Sequence, residues 1–196
     1  MKSLLFAIIC LQAAITNAQT PNCDFKSPIK TSNNIIPEFF KYHSYTLPWY
    51  IIRHENGSFE NTLGEDISNE SIKPIEKNAF VFSTHQSNHL MNMAEATKTA
   101  YGFKISIFGG MPAYCSSLDI HIMKDKFCTT FEATYPAPIK ELNWKIISQK
   151  LTLISSGISK EKRIQGKVSI ILEEKDDAGK VSRHRIAGYF KPPFAE

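Results

Sequence analysis

The stretch LDIHIMKDKFCTTF, residues 118–131, decides the fold class, because apolar and polar residues alternate on both sides of a short polar turn. Alternation with a period of two is typical of a β-strand that buries one face. If the turn at Met123 to Lys126 pairs Ile122 with Phe127, then Leu118 faces Phe131 on the same buried side. The stretch therefore predicts an antiparallel hairpin.

The same alternation continues towards the C-terminus in the segments Trp144 to Ser155, Gly166 to Glu174 and Val181 to Phe190. The inward residues predicted for the first two segments are Ile147, Leu151 and Leu153, then Val168, Ile170 and Leu172. A turn at residues 176–179 would oppose Ile170 with Ile186 and Val168 with Gly188. Consecutive hairpins of this kind predict a mainly β fold, an antiparallel meander forming a β-sandwich or an open barrel.

The segment HLMNMAEATKTA, residues 89–100, is the one place where helix propensity is high, with Ser87 or Asn88 as a cap and Gly102 as a stop. We expect one short helix near residues 88–100. The alternative is a strand with Met91 and Met93 inward. Upstream, Tyr45 to Arg53 and Asn78 to Thr84 predict short strands, the second one buried, and residues 55–78 predict a surface loop region.

The N-terminus has the features of a secretory signal peptide. Lys2 precedes an apolar run from Leu4 to Ile15, and Thr16 and Ala18 are the small residues of a cleavage site after Ala18. The run is shorter than the ~20 residues that a transmembrane helix needs. We therefore expect a secreted or periplasmic protein without a transmembrane segment in the mature chain.

The mature chain is expected to be a single domain. Removing residues 1–18 from the 196 leaves 178, of which residues 19–37 form an extended leader rich in Pro, Asn, Ser and Thr, and residues 38–196 form one β-rich domain. The formal net charge of +4 falls to +3 when Lys2 is lost. That excess is too weak to indicate a nucleic-acid partner.

Three cysteines remain after cleavage, namely Cys23, Cys115 and Cys128, and all three are disulfide candidates. The hairpin register argues against a bridge between Cys115 and Cys128, since a straight strand separates them by roughly 20 Å. Cys23 could reach either partner, so the pairing stays open. The register also places His121 opposite Cys128, which suggests an activated thiolate, although oxidation to a disulfide is the favoured interpretation.

His85 and His89 are the candidate metal ligands, because two imidazoles four residues apart share one face of a helix. No glutamate occupies the catalytic position between them and no third ligand is evident nearby. Two solvated histidines are therefore the favoured interpretation, and the sequence indicates no cofactor.

Two groups of residues are candidates for ligand binding. Tyr45, Trp49 and Tyr50 lie in an aromatic-rich segment, and Arg183 and Arg185 form a modest basic patch on a predicted strand. Leu47-Pro48-Trp49-Tyr50, following a signal peptide and preceding a meander, resembles the start of lipocalins, with Leu47 where that family has glycine. This resemblance implies a carrier of small apolar ligands.

No familiar catalytic signature is present in the sequence. The favoured function is therefore a non-enzymatic exported β module that binds another protein or an envelope or extracellular component. The lipocalin-like carrier is one alternative. The other is a hydrolase or metal-binding protein that uses His85 and His89, or His121 and Cys128.

Overall fold

The computed structural model describes residues 23–33, 45–47, 51–61, 63–84, 89–111, 114–133, 143–154, 163–175 and 179–195. These residues form sixteen strands and one single-turn 3-10 helix, Asn69–Ser71, and within them there is no α-helix. The predicted signal peptide and cleavage site lie outside these ranges. The strands are β1 Ser27–Ser32, β2 Tyr45–Thr46, β3 Ile51–Arg53, β4 Phe59–Asn61, β5 Asp66–Ile67, β6 Ile75–Glu76, β7 Ala79–Ser83, β8 His89–Met91, β9 Met93–Thr99, β10 Gly102–Met111, β11 Tyr114–Met123, β12 Lys126–Ala133, β13 Asn143–Ile154, β14 Gly166–Lys175, β15 Val181–Phe190 and β16 Phe194–Ala195.

Eleven of the strands form one large, nearly barrel-shaped sheet in the order β16-β9-β10-β11-β12-β1-β13-β14-β15-β7-β8. Strands β2 and β6 form a small second sheet, and β3, β4 and β5 form a third. The large sheet contains two antiparallel meanders, β9 to β12 and β13 to β15, which confirms the mainly β prediction. It is mixed because β1 runs parallel to β13 and β16 runs parallel to β9.

The predicted hairpin registers are confirmed. In β11 and β12, Ile122 pairs with Phe127 and Leu118 with Phe131, and the turn between them places Lys124 at φ 57°. In β14 and β15, Ile170 pairs with Ile186. Local alternation and a short turn are enough to fix such registers, because a one-residue slip would move every apolar side chain to the solvent.

The helix expected near residues 88–100 is wrong, since β8 and β9 occupy this segment. Met91 is fully buried, as the strand alternative predicted, but the alternation changes phase at Asn92. Ala94 and Ala96, rather than Met93, therefore face the core. Pairing of β8 with β7 and of β9 with β10 outweighs the local helix propensity.

The inward orientation expected for Ile147 is also wrong. The pairing of β13 with β14 is shifted between Ile146 and Ser148, so Ile147 is an extra residue in a bulge. Its side chain is 42% exposed, whereas Leu151, beyond the bulge, is buried as predicted. A bulge resets the alternation by one residue, which a regular period of two does not anticipate.

The segments upstream of β8 differ in part from the expectations. β7 buries only one face, Ala79 and Val81, while Phe80 and Phe82 are exposed. The strand expected from Tyr45 to Arg53 appears as β2 and β3, which belong to different small sheets. The region expected to be a surface loop contains the short strands β4, β5 and β6.

Part of the N-terminal segment lies inside the large sheet. Ser27–Ser32 form β1, between β12 and β13, and Ile29 lies beside Leu151 of β13. Just before β1, Cys23 forms a disulfide with Cys128 of β12, with 5.9 Å between the Cα atoms. The extended leader expected from the sequence therefore contributes a strand to the sheet.

The interior of the sheet is filled with large apolar side chains. The largest of those that are fully buried are Phe127, Phe190, Met91, Ile105, Ile107, Leu118, Ile120, Ile122, Leu151, Ile170, Leu172 and Ile186. One polar chain crosses this interior beside β1. Thr129 Oγ1 donates a hydrogen bond to Gln149 Oε1, and Gln149 Nε2 donates to Ser27 Oγ, each at 2.8 Å. These bonds tie β12, β13 and β1 together.

Candidate binding surface

The outward positions of β1, β13, β14, β15 and β7 form one continuous surface, here called the basic-aromatic face. Strand register places its residues in rows across the sheet, since alternate side chains of each strand point outward. One row runs through Lys30, Thr152, Lys167, Tyr189 and Phe80. The basic members of the face are Lys30, Lys145, Lys150, Lys167, Lys175, Arg183 and Arg185, and its large apolar members are Phe80, Phe82, Ile147, Ile171 and Tyr189.

All seven basic side chains of this face are exposed. At the outward strand positions of the face, the single carboxylate is Glu173, which is partly buried and contacts Arg183 Nε at 3.4 Å. The excess of six positive charges exceeds the formal net charge of +4 of the whole chain, so the rest of the chain is net acidic. The positive charge is therefore concentrated on one side of the sheet.

Four of the five named apolar members of the face are exposed to water. Phe80 and Phe82 are 44% and 43% exposed, and Ile147 and Ile171 are 42% and 38% exposed. Lys167 Nζ lies 5.3 Å from the ring centroid of Tyr189. Large exposed apolar groups that cluster on one surface mark interaction sites more often than isolated ones do.

Glu174 does not dilute this positive charge, although it follows Glu173 directly in the sequence. Its side chain lies on the inner face of the sheet, where Glu174 Oε2 contacts His184 Nε2 at 2.9 Å. Trp144 packs edge-on against His184, with 6.1 Å between the ring centroids. Strand alternation thus places the adjacent carboxylates of Glu173 and Glu174 on opposite faces of the sheet, which counting charges along the sequence does not show.

The structure brings only part of the sequence-predicted ligand set together. Arg183 and Arg185 lie on the basic-aromatic face, on β15. Tyr45 lies in the small sheet of β2 and β6 and is 60% exposed. Trp49 and Tyr50 lie outside the described residues. Sequence reasoning missed Phe80, Phe82 and the lysines of β13 and β14. The predicted alternation of β13 and β14 places these lysines outward, but no predicted register covered β7, whose strand was expected to be buried.

The candidate metal ligands are only partly described. His85 lies outside the described residues, and His89 is a residue of β8 whose backbone is opposite Ser83. Within the part of the chain that the structure describes, no group of three or more His, Cys, Asp or Glu residues could hold a metal ion. The metal site stays a prediction of the sequence.

His121 and Cys128 lie opposite each other, as the predicted register requires, on the outward side of β11 and β12. Because Cys128 is bonded to Cys23, it has no thiolate to offer as a nucleophile. His121 is 6% exposed, and its Nδ1 forms a 2.7 Å hydrogen bond with the Tyr101 hydroxyl. The ring of Tyr101 in turn contacts Phe25, close to Cys23 in the chain.

Burial lowers the pKa of His121, because the charged imidazolium loses its hydration. The negative charge of Asp119 opposes this shift, and the positive charge of Lys104 adds to it. Burial is the largest of the three influences and therefore sets the direction of the shift.

The lipocalin-like alternative depends on the aromatic segment Phe39 to Tyr50, most of which lies outside the described residues. The described interior is occupied by packed side chains such as Phe127 and Phe190. The carrier function stays a prediction.

Comparisons with protein-family models, with curated proteins and with solved structures each found no match. No helix among the described residues is long and apolar enough to cross a membrane. The disulfide between Cys23 and Cys128 is compatible with a secreted or periplasmic location.

Proposed function

We propose that the protein is an exported, non-enzymatic binding module that holds an anionic envelope or extracellular component on its basic-aromatic face. The observation that carries this proposal is the segregation of seven exposed basic side chains onto one side of the sheet, beside exposed aromatic rings. Export is the expectation from the signal-like N-terminus and agrees with the disulfide.

Charge separation supports an anionic partner. A surface that concentrates positive charge attracts negative partners from a distance and orients them on encounter. The face is positive while the rest of the chain is net acidic. A partner would therefore meet this side of the sheet in preference to the others.

The packing of the face supports binding rather than simple solvation. A face that only keeps the protein in solution has no need of exposed large apolar side chains, whereas Phe80, Phe82 and Ile171 all stand among its cations. Binding would remove their surface from water, which would stabilise the complex by about 25 cal/mol for each Å² of apolar area buried. Charge would supply attraction and orientation, and the apolar groups would supply affinity.

The test is retention on immobilised heparin, used as a general polyanion, with elution by increasing salt. Lys150→Gln/Lys167→Gln removes two cations from the face, and Lys73→Gln/Lys98→Gln removes two exposed lysines elsewhere. Both variants have the same net charge, so a difference between them reports charge placement. We expect the face variant to elute at clearly lower salt than the control. Equal elution of the two variants would contradict the proposal.

A further inference from the structure

Building on the proposed function, we infer that the anionic component is a lipid bilayer. The basic-aromatic face would bind the surface of a membrane that contains anionic lipid, with its lysines and arginines at the phosphates and its exposed rings among the headgroups. This inference names the partner class, which the proposed function leaves open.

The mixture of side chains on the face favours a bilayer over a soluble polyanion. A polyanion would neutralise the cations but would leave Phe80, Phe82 and Ile171 in water. The boundary between headgroups and acyl chains accommodates both kinds of side chain, since aromatic rings settle at headgroup level and lysine stems extend towards the phosphates. A bilayer is thus the partner that accounts for both the cations and the exposed apolar side chains of the face.

The rows of the sheet place cations and apolar groups side by side. Tyr189 lies between Phe80 and Lys167, and Ile171 is directly opposite Arg185. Adjacent strands are about 4.8 Å apart, so the four steps from β1 to β7 span roughly 19 Å. Lys167 and Lys175 of β14 are roughly 27 Å apart along the strand. The face is therefore broad enough to meet several headgroups at once.

The remaining outward positions would not oppose contact with lipid. Residues between the cations and rings are small, such as Thr152, Ser169 and Ala187. Glu173, the single carboxylate at these positions, already contacts Arg183. Directional recognition of sugar hydroxyls would need more side-chain amides and carboxylates at these positions. The net acidic remainder of the chain would be repelled by the same membrane, which orients the face towards it.

The test is co-sedimentation of the mature, disulfide-bonded protein with vesicles of phosphatidylcholine, with or without phosphatidylglycerol. We expect binding to the mixed vesicles and little binding to phosphatidylcholine alone. Each cation near an anionic surface contributes about five-fold to binding, so Lys150→Gln/Lys167→Gln should lower partitioning about 25-fold. Lys73→Gln/Lys98→Gln should bind like the wild type.

The contribution of the apolar side chains is tested by Phe80→Ser/Phe82→Ser, which should lower partitioning of the protein onto the mixed vesicles roughly ten-fold or more. Its matched control is Ile52→Ser/Leu63→Ser, which removes one exposed apolar side chain from β3 and one from the turn between β4 and β5. All variants are first checked for the wild-type unfolding midpoint. The lysine pair, whose members are both exposed, keeps the test valid if the phenylalanine variant does not fold.

The outcomes separate this inference from the proposed function. Absence of binding to the mixed vesicles, or equal binding by face and control variants, would contradict the inference that the partner is a lipid bilayer. If the heparin test still distinguishes the lysine variants, the proposed function stands with a soluble polyanion as partner. If neither test distinguishes them, both proposals are wrong. Vesicle binding that needs the lysines but not the phenylalanines overturns the placement of the rings among the headgroups.

Discussion

Opening the disulfide between Cys23 and Cys128 should lower the free energy of unfolding by about 4–5 kcal/mol. The bond joins residues 105 positions apart, and closing a loop of that length lowers the conformational entropy of the unfolded chain. The perturbation is Cys23→Ser/Cys128→Ser in the mature protein. Cys115→Ser is the matched control, because it removes a cysteine while leaving the bond intact.

The assay is equilibrium unfolding in urea, together with thiol labelling of the denatured, unreduced protein. The midpoint of the double variant should fall by roughly 2 M urea, and its melting temperature by about 10–20 °C. In the wild type, Cys115 alone should be labelled. An unchanged midpoint in the double variant, or labelling of Cys23 or Cys128 in the wild type, would refute the reasoning.

Three further predictions concern the interior and the buried histidine. Gln149→Met removes the hydrogen-bond partner of the Thr129 and Ser27 hydroxyls, and should lower the free energy of unfolding, measured in urea, by about 1–3 kcal/mol. The control is Lys150→Met at an exposed position, which should change this free energy by less than about 0.5 kcal/mol. Because burial lowers the pKa of His121, the unfolded chain binds more protons just below about pH 6.5, so stability should fall as pH decreases through that window. His121→Gln should remove this pH dependence of the unfolding midpoint; persistence of the full dependence would show that another group is responsible. Gly188→Ala should lower the free energy of unfolding by about 2 kcal/mol or more, since a methyl group there would overlap the backbone of β7. The control is Ala187→Gly at an outward position, which should lower it by about 1 kcal/mol or less. Similar midpoints for the two variants would show that β7 is not packed against Gly188.

Hairpin registers were predictable from the sequence because their cause is local. In β11 and β12 the apolar residues alternate on each side of a short turn, so Ile122 can meet only Phe127 without exposing the whole apolar face. The same reasoning gave the opposition of Ile170 and Ile186. It failed at Ile147, where a bulge resets the alternation, and at residues 88–100, where pairing with the neighbouring strands β7 and β10 outweighs helix propensity.

The candidate surface was predictable only in part. Arg183 and Arg185 were identified as a basic patch, but the strand that carries Phe80 and Phe82 was expected to be buried. The phase of each strand decides these points, because it sends Glu174 inward and Phe80 and Phe82 outward. Residues that are adjacent in the sequence then have opposite roles.

By itself the sequence determined the β class, the hairpin turns and most of the inward residues, since these follow from alternation over a few residues. Only the tertiary structure decided that β1 lies between β12 and β13, that Cys23 pairs with Cys128, and that seven cations share one face. Such pairings join residues far apart in the chain. Their free energy depends on the packing of the whole sheet, which no local pattern contains.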